Sequence, residues 1–280
     1  SPPFQTGIRL SNSIRNGILN ETVDPTVFAS SSPPLSSFHE YDLARLNFDF
    51  SGHSGDGFVF DGVSGTEITG LTIQNTTGQG LVFSNDSDGN LVYQVTLENI
   101  GSVGITFDTS STNNILGTDS RRPSGARQST ITNTGAEGIL ILGGSGDNRF
   151  DDFVIREAGT HGVHFVQDAF RNYFSHLKII DSGLAGIRLD GDQVTQNTIE
   201  HTSRYSLQNF VEDAGSYGLE ITNGAHDNFI NPGRVFNSTN GGILLSGAGT
   251  DRNVVGNIGL EEPEFNSHTE VLEQTTGFGI

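Results

Sequence analysis

The segment 157–180 concentrates side chains that can exchange protons or hold charge. It contains three histidines with a carboxylate, an arginine and a lysine close by: His161, His164, His176, Asp168, Arg171 and Lys178. Imidazole titrates near neutral pH and neighbouring charges tune that titration, so these groups can act as acids or bases. The same residues can also form the polar surface of a repeating fold. The repeat of the chain decides between these two interpretations.

A glycine that is followed by an apolar–any–apolar triplet recurs along the chain, mostly at intervals of about 24 residues. These glycines are Gly57, Gly80, Gly104, Gly138, Gly162, Gly186, Gly218 and Gly242. From Gly80 onward an asparagine stands ten or eleven residues after each of them: Asn90, Asn114, Asn148, Asn172, Asn197, Asn228 and Asn253. A fixed period of this length indicates a solenoid. The short β-prone runs predict coils of parallel strands, with the asparagines stacked at one corner.

The repeat resembles the right-handed parallel β-helix proteins of the pectate-lyase-like superfamily, in its generic form. The resemblance implies an all-β, single-stranded solenoid with about 24 residues per coil. We predict the β-helix over residues 47–257, an irregular N-terminal cap or linker over 1–46, and a C-terminal cap or tail over 258–280. Caps cover the unpaired strands at open ends, and copies of the chain can associate there. One fold of this kind hosts many activities, so the resemblance concerns the fold more than the function.

The period places two of the three histidines. Val163 and Phe165 occupy positions that are apolar in every other coil, so we expect both side chains inside. His164 lies between them and is expected to point outward, because side chains alternate along a strand. Its outward row continues on the next coils with polar residues, Arg188 and Glu220. Cross-strand charge pairs on a solvated face explain this row. His161 precedes the glycine and is also expected on the surface.

The third histidine lies where the period is interrupted. Two of the glycine intervals are longer, at 34 and 32 residues, and each contains an insertion. Aligned coil by coil, the insertions fall at about 117–128 and 200–208, at the same point of the coil. In the two uninterrupted coils between them, this point carries Asp151, Asp152 and His176. We therefore predict a notch between two loops, about 10–15 Å wide, which accommodates one or two sugar rings.

The notch contains the residues that we predict to act on a ligand. The catalytic candidates are three residues of its floor and one of the second loop: Asp152, His176, Lys178 and Tyr205. The residues predicted to bind substrate come from the floor and from both loops: Asp151, Arg121, Arg122, His201 and Arg204. The alternative explanation is that loops tolerate insertions and that polar residues fill them.

Two kinds of carbohydrate chemistry suit this set. A lyase or epimerase needs a base beside a uronate carboxylate and a cation that neutralises the carboxylate. His176, Lys178 or Tyr205 is a candidate base, and Arg122 or Arg204 a candidate cation. Hydrolysis of a glycosidic bond needs two carboxyl groups. Asp151 and Asp152 are adjacent, so they face opposite sides of a strand unless a turn intervenes.

The chain departs from the motifs of two β-helix enzyme families. Polygalacturonases, which are β-helix hydrolases, carry an Asp-Asp pair and a Gly-His-Gly segment on successive coils. The similar segments here, "DDFVI" and "THGVHF", lie within a single coil, and threonine precedes His161. The Tyr-Gly-Phe-Asp-Pro-His pattern of alginate epimerases is absent. Neither activity is therefore carried over.

The composition excludes several classes of partner. Acidic residues outnumber basic ones by 33 to 14, and the formal net charge is −19, which disfavours nucleic acid and anionic membranes. No apolar run approaches the length of a membrane span, and without cysteine neither disulfides nor thiolate metal sites can form. Lys178 is the only lysine, and such a composition suits either a protein that is kept soluble in high salt or an ordinary acidic secreted protein. Without an initiator Met, we expect a processed product or a segment of a longer protein.

We expect an extracellular or surface β-helix that contacts a polysaccharide or cell-surface glycan, with catalysis by a lyase, epimerase or hydrolase left open. The alternative is a non-catalytic rod, such as a viral tail-spike segment, an adhesin or a cell-surface module, because no catalytic signature is present. Oligomers can form through the end caps. No cofactor is expected, although the acidic turns 85–90 and 190–193 have the oxygen ligands that calcium prefers.

Overall fold

The computed structural model describes residues 6–11, 46–51, 54–118, 128–200, 209–256 and 271–274. Within them the chain forms coils of short parallel strands, with about 24 residues between stacked positions. The protein is a parallel β-helix, which confirms the predicted fold class. The described residues contain no helix that is long and apolar enough to cross a membrane.

Ten strands form one continuous sheet along the solenoid. In spatial order they are β1 (Thr6–Ser11), β3 (Asp56–Asp61), β6 (Leu81–Ser84), β9 (Ile105–Phe107), β12 (Ile139–Ile141), β14 (Val163–Val166), β16 (Ile187–Asp190), β19 (Tyr217–Thr222), β22 (Gly241–Ser246) and β24 (Val271–Gln274). The strands β1 and β24 lie outside the predicted repeat region 47–257 and extend this sheet at both ends.

Fourteen strands form a second sheet, which a sharp corner divides into two arms. The first arm contains β4 (Glu67–Thr69), β7 (Leu91–Tyr93), β10 (Ile115–Gly117), β17 (Thr198–Glu200), β20 (Phe229–Ile230) and β23 (Val254–Val255). The second arm contains β2 (Leu46–Asp49), β5 (Leu71–Thr76), β8 (Thr96–Ile100), β11 (Ser129–Thr134), β18 (Phe210–Ala214) and β21 (Arg234–Phe236). Two long strands pass the corner and belong to both arms, β13 (Arg149–Ala158) and β15 (Tyr173–Ser182).

The predicted asparagines form a continuous column at one corner of the coils. From Asn90 to Asn253, each Nδ2 donates to Oδ1 of the next asparagine at 2.9–3.1 Å. Each Oδ1 from Asn114 onward also accepts the backbone N–H of the preceding asparagine. Because the column is buried up to Asn228, these amides provide the hydrogen bonds that water cannot reach. The register predicted from the sequence is confirmed.

The repeated glycines mark places where adjacent coils touch backbone to backbone. A Cβ on Gly162 would lie 2.6 Å from the carbonyl oxygen of Gly186 and 2.5 Å from Cγ2 of Ile179. A Cβ on Gly159 would lie 2.5 Å from the carbonyl oxygen of Gly135. No side chain fits at such distances. The glycines recur once per coil because adjacent coils approach this closely at the same positions of each coil.

The interior of the solenoid is filled by apolar side chains that stack from coil to coil. Val163 and Phe165 are fully buried, as predicted. Two runs of rings stack face to face along the axis with centroid distances of 4.2–4.5 Å: Phe60–Phe83–Phe107 and Phe150–Phe174. Stacked rings add about 0.5–1.5 kcal/mol per pair to the stabilisation from burial alone. The core is thus one continuous column, which gives the outward side chains a rigid base.

A different corner carries an exposed column of polar residues with positive φ. Its first members are linked amide to amide: Asn75, Asn99 and Asn133. The next three members are acidic and have φ between 54° and 60°: Glu157, Asp181 and Asp213. Consecutive coils are about 4.8 Å apart, so these three carboxylates lie above one another at that spacing. Amides at the same positions would donate hydrogen bonds to one another, whereas carboxylates repel. This column is a local source of the repulsion that the net charge implies.

We expect the melting temperature to rise from low salt to molar NaCl or KCl, because screening weakens the repulsion between carboxylates. The substitution Asp181→Asn is expected to raise the melting temperature at low salt and to reduce its salt dependence. Thermal unfolding of both proteins over a series of salt concentrations measures this. A melting temperature of the unsubstituted protein that stays flat or falls with salt contradicts the prediction.

Candidate functional site

Both insertions leave the solenoid at the corner between the two arms. In four of the uninterrupted coils a single residue with positive φ makes this corner: Gly70, Gln94, Asp152 and His176. The first insertion lies between β10 and β11, whose partners in β13 flank Asp152. The second lies between β17 and β18, whose partners in β15 flank His176. The ends of both insertions therefore share one coil position, and the two intact corners lie between them.

The corner also separates the two adjacent aspartates. Asp151 ends the first-arm segment of β13, and its neighbour Phe150 is buried in the core, so Asp151 faces outward. Asp152 is the corner itself, with a φ of 61°. Adjacent aspartates can face the same side only where the strand turns, and such a turn is present at Asp152. The two carboxylates nevertheless have different partners.

His176 and Asp151 form a pair across adjacent coils. His176 Nδ1 lies 3.1 Å from Asp151 Oδ1, and Ser175 Oγ donates to the same oxygen at 2.5 Å. Both side chains of the pair are mostly buried, with 17% and 19% of their surfaces exposed. An ionised carboxylate only accepts hydrogen bonds, so when Asp151 is in that form Nδ1 of His176 is the donor of this contact and Nε2 is the acceptor nitrogen of the neutral ring. In this arrangement a carboxylate orients a histidine for general-base catalysis.

Asp152 braces the base of the first insertion. Its Oδ1 accepts a hydrogen bond from Gln128 Nε2 at 2.6 Å, and its Oδ2 accepts one from Thr118 Oγ1 at 3.2 Å. These donors are the described residues on either side of the insertion. Both carboxylate oxygens are therefore engaged in holding the loop ends together. Asp151, and not Asp152, is therefore the aspartate with a hydrogen bond to His176 among the described contacts.

The other predicted site residues are placed only in part. Lys178 lies beyond the corner, on the outward face of the second arm, where its Nζ is 5.8 Å from the centroid of the Phe210 ring. Lys178 thus lies two residues after the corner residue His176 and on the other arm from Asp151. The residues predicted for the two loops lie outside the described residues: Arg121, Arg122, His201, Arg204 and Tyr205.

Three polar side chains beside the pair were not predicted from the sequence. Tyr173 donates its phenol to Glu200 Oε1, and the guanidinium carbon of Arg149 lies 5.1 Å from the centroid of the Tyr173 ring. Burial, followed by the hydrogen bond to Glu200, raises the pKa of Tyr173 to about 12, so the phenol stays protonated at neutral pH. The sequence could have indicated that Arg149 and Tyr173 lie in one outward column, because each directly follows an asparagine of the asparagine column, Asn148 and Asn172.

A second polar cluster lies on the outward face of the ten-stranded sheet. His164 Nδ1 is 3.3 Å from Glu137 Oε1, and Arg188 lies 2.8 Å from Asp190 and 3.4 Å from Glu220. The predicted row of charge pairs is therefore present, but its side chains are half-buried rather than fully solvated. His164 Nε2 and Arg188 Nε are buried and have no hydrogen-bond partner among the described residues.

The prediction that His161 is a surface residue is wrong. The residue is 4% exposed, and its Nδ1 accepts the backbone N–H of Ala185 at 3.1 Å. This hydrogen bond holds the imidazole against the next coil, and the ring of His164, in the same coil, covers it at a centroid distance of 4.6 Å. Burial, followed by the nearby His164 and Arg188, lowers the pKa of His161 to about 4. The alternation of side chains along a strand does not predict these contacts of His161 with Ala185 and His164.

The buried imidazole predicts a loss of stability in mild acid. The folded pKa of His161 is about 4 and its ordinary value is 6.5, so between these pH values the unfolded chain binds the proton and the folded chain does not. The stabilising contribution is complete above pH 6.5 and decreases as the pH falls towards 4. Allowing for solvent screening, we expect a loss on the order of 2 kcal/mol.

His161→Gln is the control for this prediction, because glutamine does not titrate and the other titrating groups are shared. Urea unfolding of both proteins over this pH interval measures the difference in the free energy of unfolding. We expect the advantage of the unsubstituted protein to shrink as the pH falls. Parallel pH profiles of the two proteins contradict the prediction.

In each of the two acidic turns considered for calcium, one aspartate is hydrogen-bonded within the fold. Asp88 accepts the backbone N–H and the hydroxyl of Thr112 at 2.8 and 2.9 Å. Asp190 accepts hydrogen bonds from Arg188, Thr222 and Asn223. In the described part of the chain, no group of three or more His, Cys, Asp or Glu side chains is arranged to hold a metal ion. Calcium binding stays a prediction from the sequence.

Comparison with known proteins gives a distant structural likeness. No protein-family model and no curated protein matches the chain. The crystal structure of the periplasmic alginate epimerase AlgG is 16% identical with a TM-score of 0.44, and the match covers 70% of this chain and 40% of that chain. A mutant of the same protein is 14% identical with a TM-score of 0.36, covering 72% and 45%. The chain thus spans less than half the length of these structures, and the likeness assigns no role to its residues.

Proposed function

We propose that the protein is a carbohydrate-active β-helix that binds a polysaccharide at the notch and exchanges protons with it. The observation that carries the proposal is the His176–Asp151 pair, which lies between the ends of two insertions at one corner of the solenoid. Loops on a rigid scaffold are where binding and catalytic residues concentrate. A base that a carboxylate orients is the group at this corner most suited to chemistry.

Removal of a proton beside a carboxylate is the reaction that these groups support best. In a uronic-acid chain, His176 Nε2 takes the proton from the carbon next to the carboxylate, and Arg149 balances the charge of that carboxylate. The electron pair of the broken C–H bond forms a double bond as the bond to the glycosidic oxygen breaks. Tyr173 gives its proton to the leaving oxygen. In an epimerase, the same carbon instead receives a proton on its other face.

Hydrolysis is supported less well. Asp151 and Glu200 share an outward column, two rungs and therefore about 10 Å apart, which is near the separation in inverting glycosidases. Both carboxyl groups, however, already accept the hydroxyl protons of Ser175 and Tyr173. Hydrolysis needs one of the two to donate a proton. We therefore favour a lyase or an epimerase.

The proposed partner is a polysaccharide or cell-surface glycan, and we propose a location outside the cell or at its surface, where such polymers occur. Both the protein and a uronic-acid chain are negatively charged, so dissolved cations are needed to weaken their repulsion. The ends of the solenoid at β1 and β24 are the proposed places of self-association.

A substrate screen tests the proposal. Purified protein is incubated with neutral and uronic-acid polysaccharides at low and at molar salt, and binding and turnover are measured. Elimination produces an unsaturated uronate that absorbs ultraviolet light, and epimerisation changes the sugar signals in NMR spectra. Turnover of a uronic-acid polymer supports the proposal. A protein that binds none of the polymers at either salt concentration contradicts it and favours the non-catalytic rod.

A further inference from the structure

The outward face of the first arm continues along the solenoid axis on both sides of the proposed site. Residues that lie opposite one another in successive coils form one column there, which begins at Glu67. We call its part from Leu91 onward the axial strip: Leu91, Ile115, Arg149, Tyr173, Thr198, Phe229 and Val254. The residues that follow them in the chain, such as Phe150, Phe174 and Ile199, are fully buried. Because side chains alternate along a strand, the axial strip faces outward.

The axial strip is polar in its middle and apolar at both ends. Its polar centre runs from Arg149 to Thr198, and its last two members are Phe229 and Val254. These two side chains are 39% and 53% exposed, and they are two of the three large apolar residues exposed in the described part of the chain. An exposed apolar surface that adjoins convergent polar groups is typical of a ligand-binding site.

We infer that a polysaccharide lies along the axial strip, parallel to the solenoid axis, and that Phe229 is a platform for a sugar ring beyond the reacting one. The inference rests on the proposed function. The C–H face of a sugar ring is apolar and its rim carries hydroxyl groups, so the ring can cover an aromatic side chain and keep its polar groups in water. Phe229 lies two rungs from Tyr173, or about 10 Å, which is one or two sugar rings away.

The length of the axial strip predicts the length of glycan that it holds. Six rung spacings separate Leu91 from Val254, a distance of about 29 Å. At one or two rings per 10–15 Å, this corresponds to about two to six sugar rings. We expect affinity to rise with chain length up to about that size and then to level off.

The experiment compares the unsubstituted protein with Phe229→Ala on oligomers of mannuronate and of galacturonate, from dimer to hexamer, by titration calorimetry. Removing the ring is expected to weaken binding of the pentamer and hexamer about fivefold and to leave the dimer unchanged. Phe229→Tyr retains the ring and is expected to bind like the unsubstituted protein. Leu184→Ala is the matched control, because this side chain is similarly exposed, at 43%, and lies off the axial strip. Circular dichroism verifies that each variant is folded.

The outcomes separate the inference from the proposal on which it rests. If Phe229→Ala and the unsubstituted protein bind every oligomer equally, the inference is overturned and the proposed function stands. An equal loss in Leu184→Ala also overturns it, because the effect is then not specific to the axial strip. If the unsubstituted protein binds no oligomer of either series, the proposed function fails and the inference fails with it.

Discussion

Replacing Asn172 by alanine is expected to lower the free energy of unfolding by about 3–5 kcal/mol. The Oδ1 of Asn172 accepts both the backbone N–H and the Nδ2 of Asn148, and its own Nδ2 donates to Ser145 O and to Asn197 Oδ1. Truncation leaves the buried N–H of Asn148 without a partner and removes one partner from each of the other groups. A buried donor that loses its acceptor costs more than an ordinary hydrogen bond contributes.

Urea unfolding of the Asn172→Ala protein measures this loss. Asn133→Gly is the matched control, because Asn133 belongs to the exposed amide column, where water can replace its side-chain hydrogen bond to Asn99. Glycine tolerates the φ of 55° at that position, so we expect a change of less than about 1 kcal/mol. Similar losses in the two variants would show that burial of the amide column is not what stabilises the coils.

Replacing His176 by asparagine is expected to lower the turnover of a uronic-acid polymer by about 10²–10⁴-fold, because the variant loses the general base. Asparagine is chosen because His176 has a φ of 53° and asparagine adopts this conformation readily. Steady-state rates and thermal unfolding are measured together. We expect turnover to fall while the melting temperature changes little. Unchanged turnover in a folded His176→Asn protein removes His176 from the mechanism.

Two further variants define what the histidine does. Gln94→Asn changes the same corner position in a coil outside the notch, with a φ of 54°, and is expected to leave turnover unchanged. Asp151→Asn tests the positioning role of the carboxylate. It is expected to lower kcat more than it changes KM and to alter the pH profile, because an amide no longer fixes the proton on Nδ1 of His176. A purely structural aspartate would leave the pH profile unchanged.

The parts of the fold that depend on the rung spacing could be predicted from the sequence. The glycines repeat where backbones touch, and the asparagines repeat where amides bind amides, so both constraints recur once per coil. That recurrence also fixes which residues face inward, as Val163 and Phe165 show. It further places both insertions, because a break in the period has a definite position in the coil.

The parts that depend on contacts between particular side chains could not be predicted in this way. The burial of His161 results from one hydrogen bond to Ala185 and from the cover of the His164 ring, which are not periodic. The pairing of Tyr173 with Glu200 joins residues 27 positions apart whose side chains reach across a rung. Periodicity assigns such residues to a face, whereas their reach and their partners decide what they do on that face.

The corner at Gln94, Asp152 and His176 has a consequence for how this scaffold can change. It accommodates one residue of several types or an entire loop, and the strands on either side keep their register. A segment grafted at Gln94 would therefore leave the core and the asparagine column untouched. A loop inserted at this corner in any one coil can change which ligand the protein binds, while the buried core stays the same. Related sequences can therefore differ in ligand specificity at this corner and still fold.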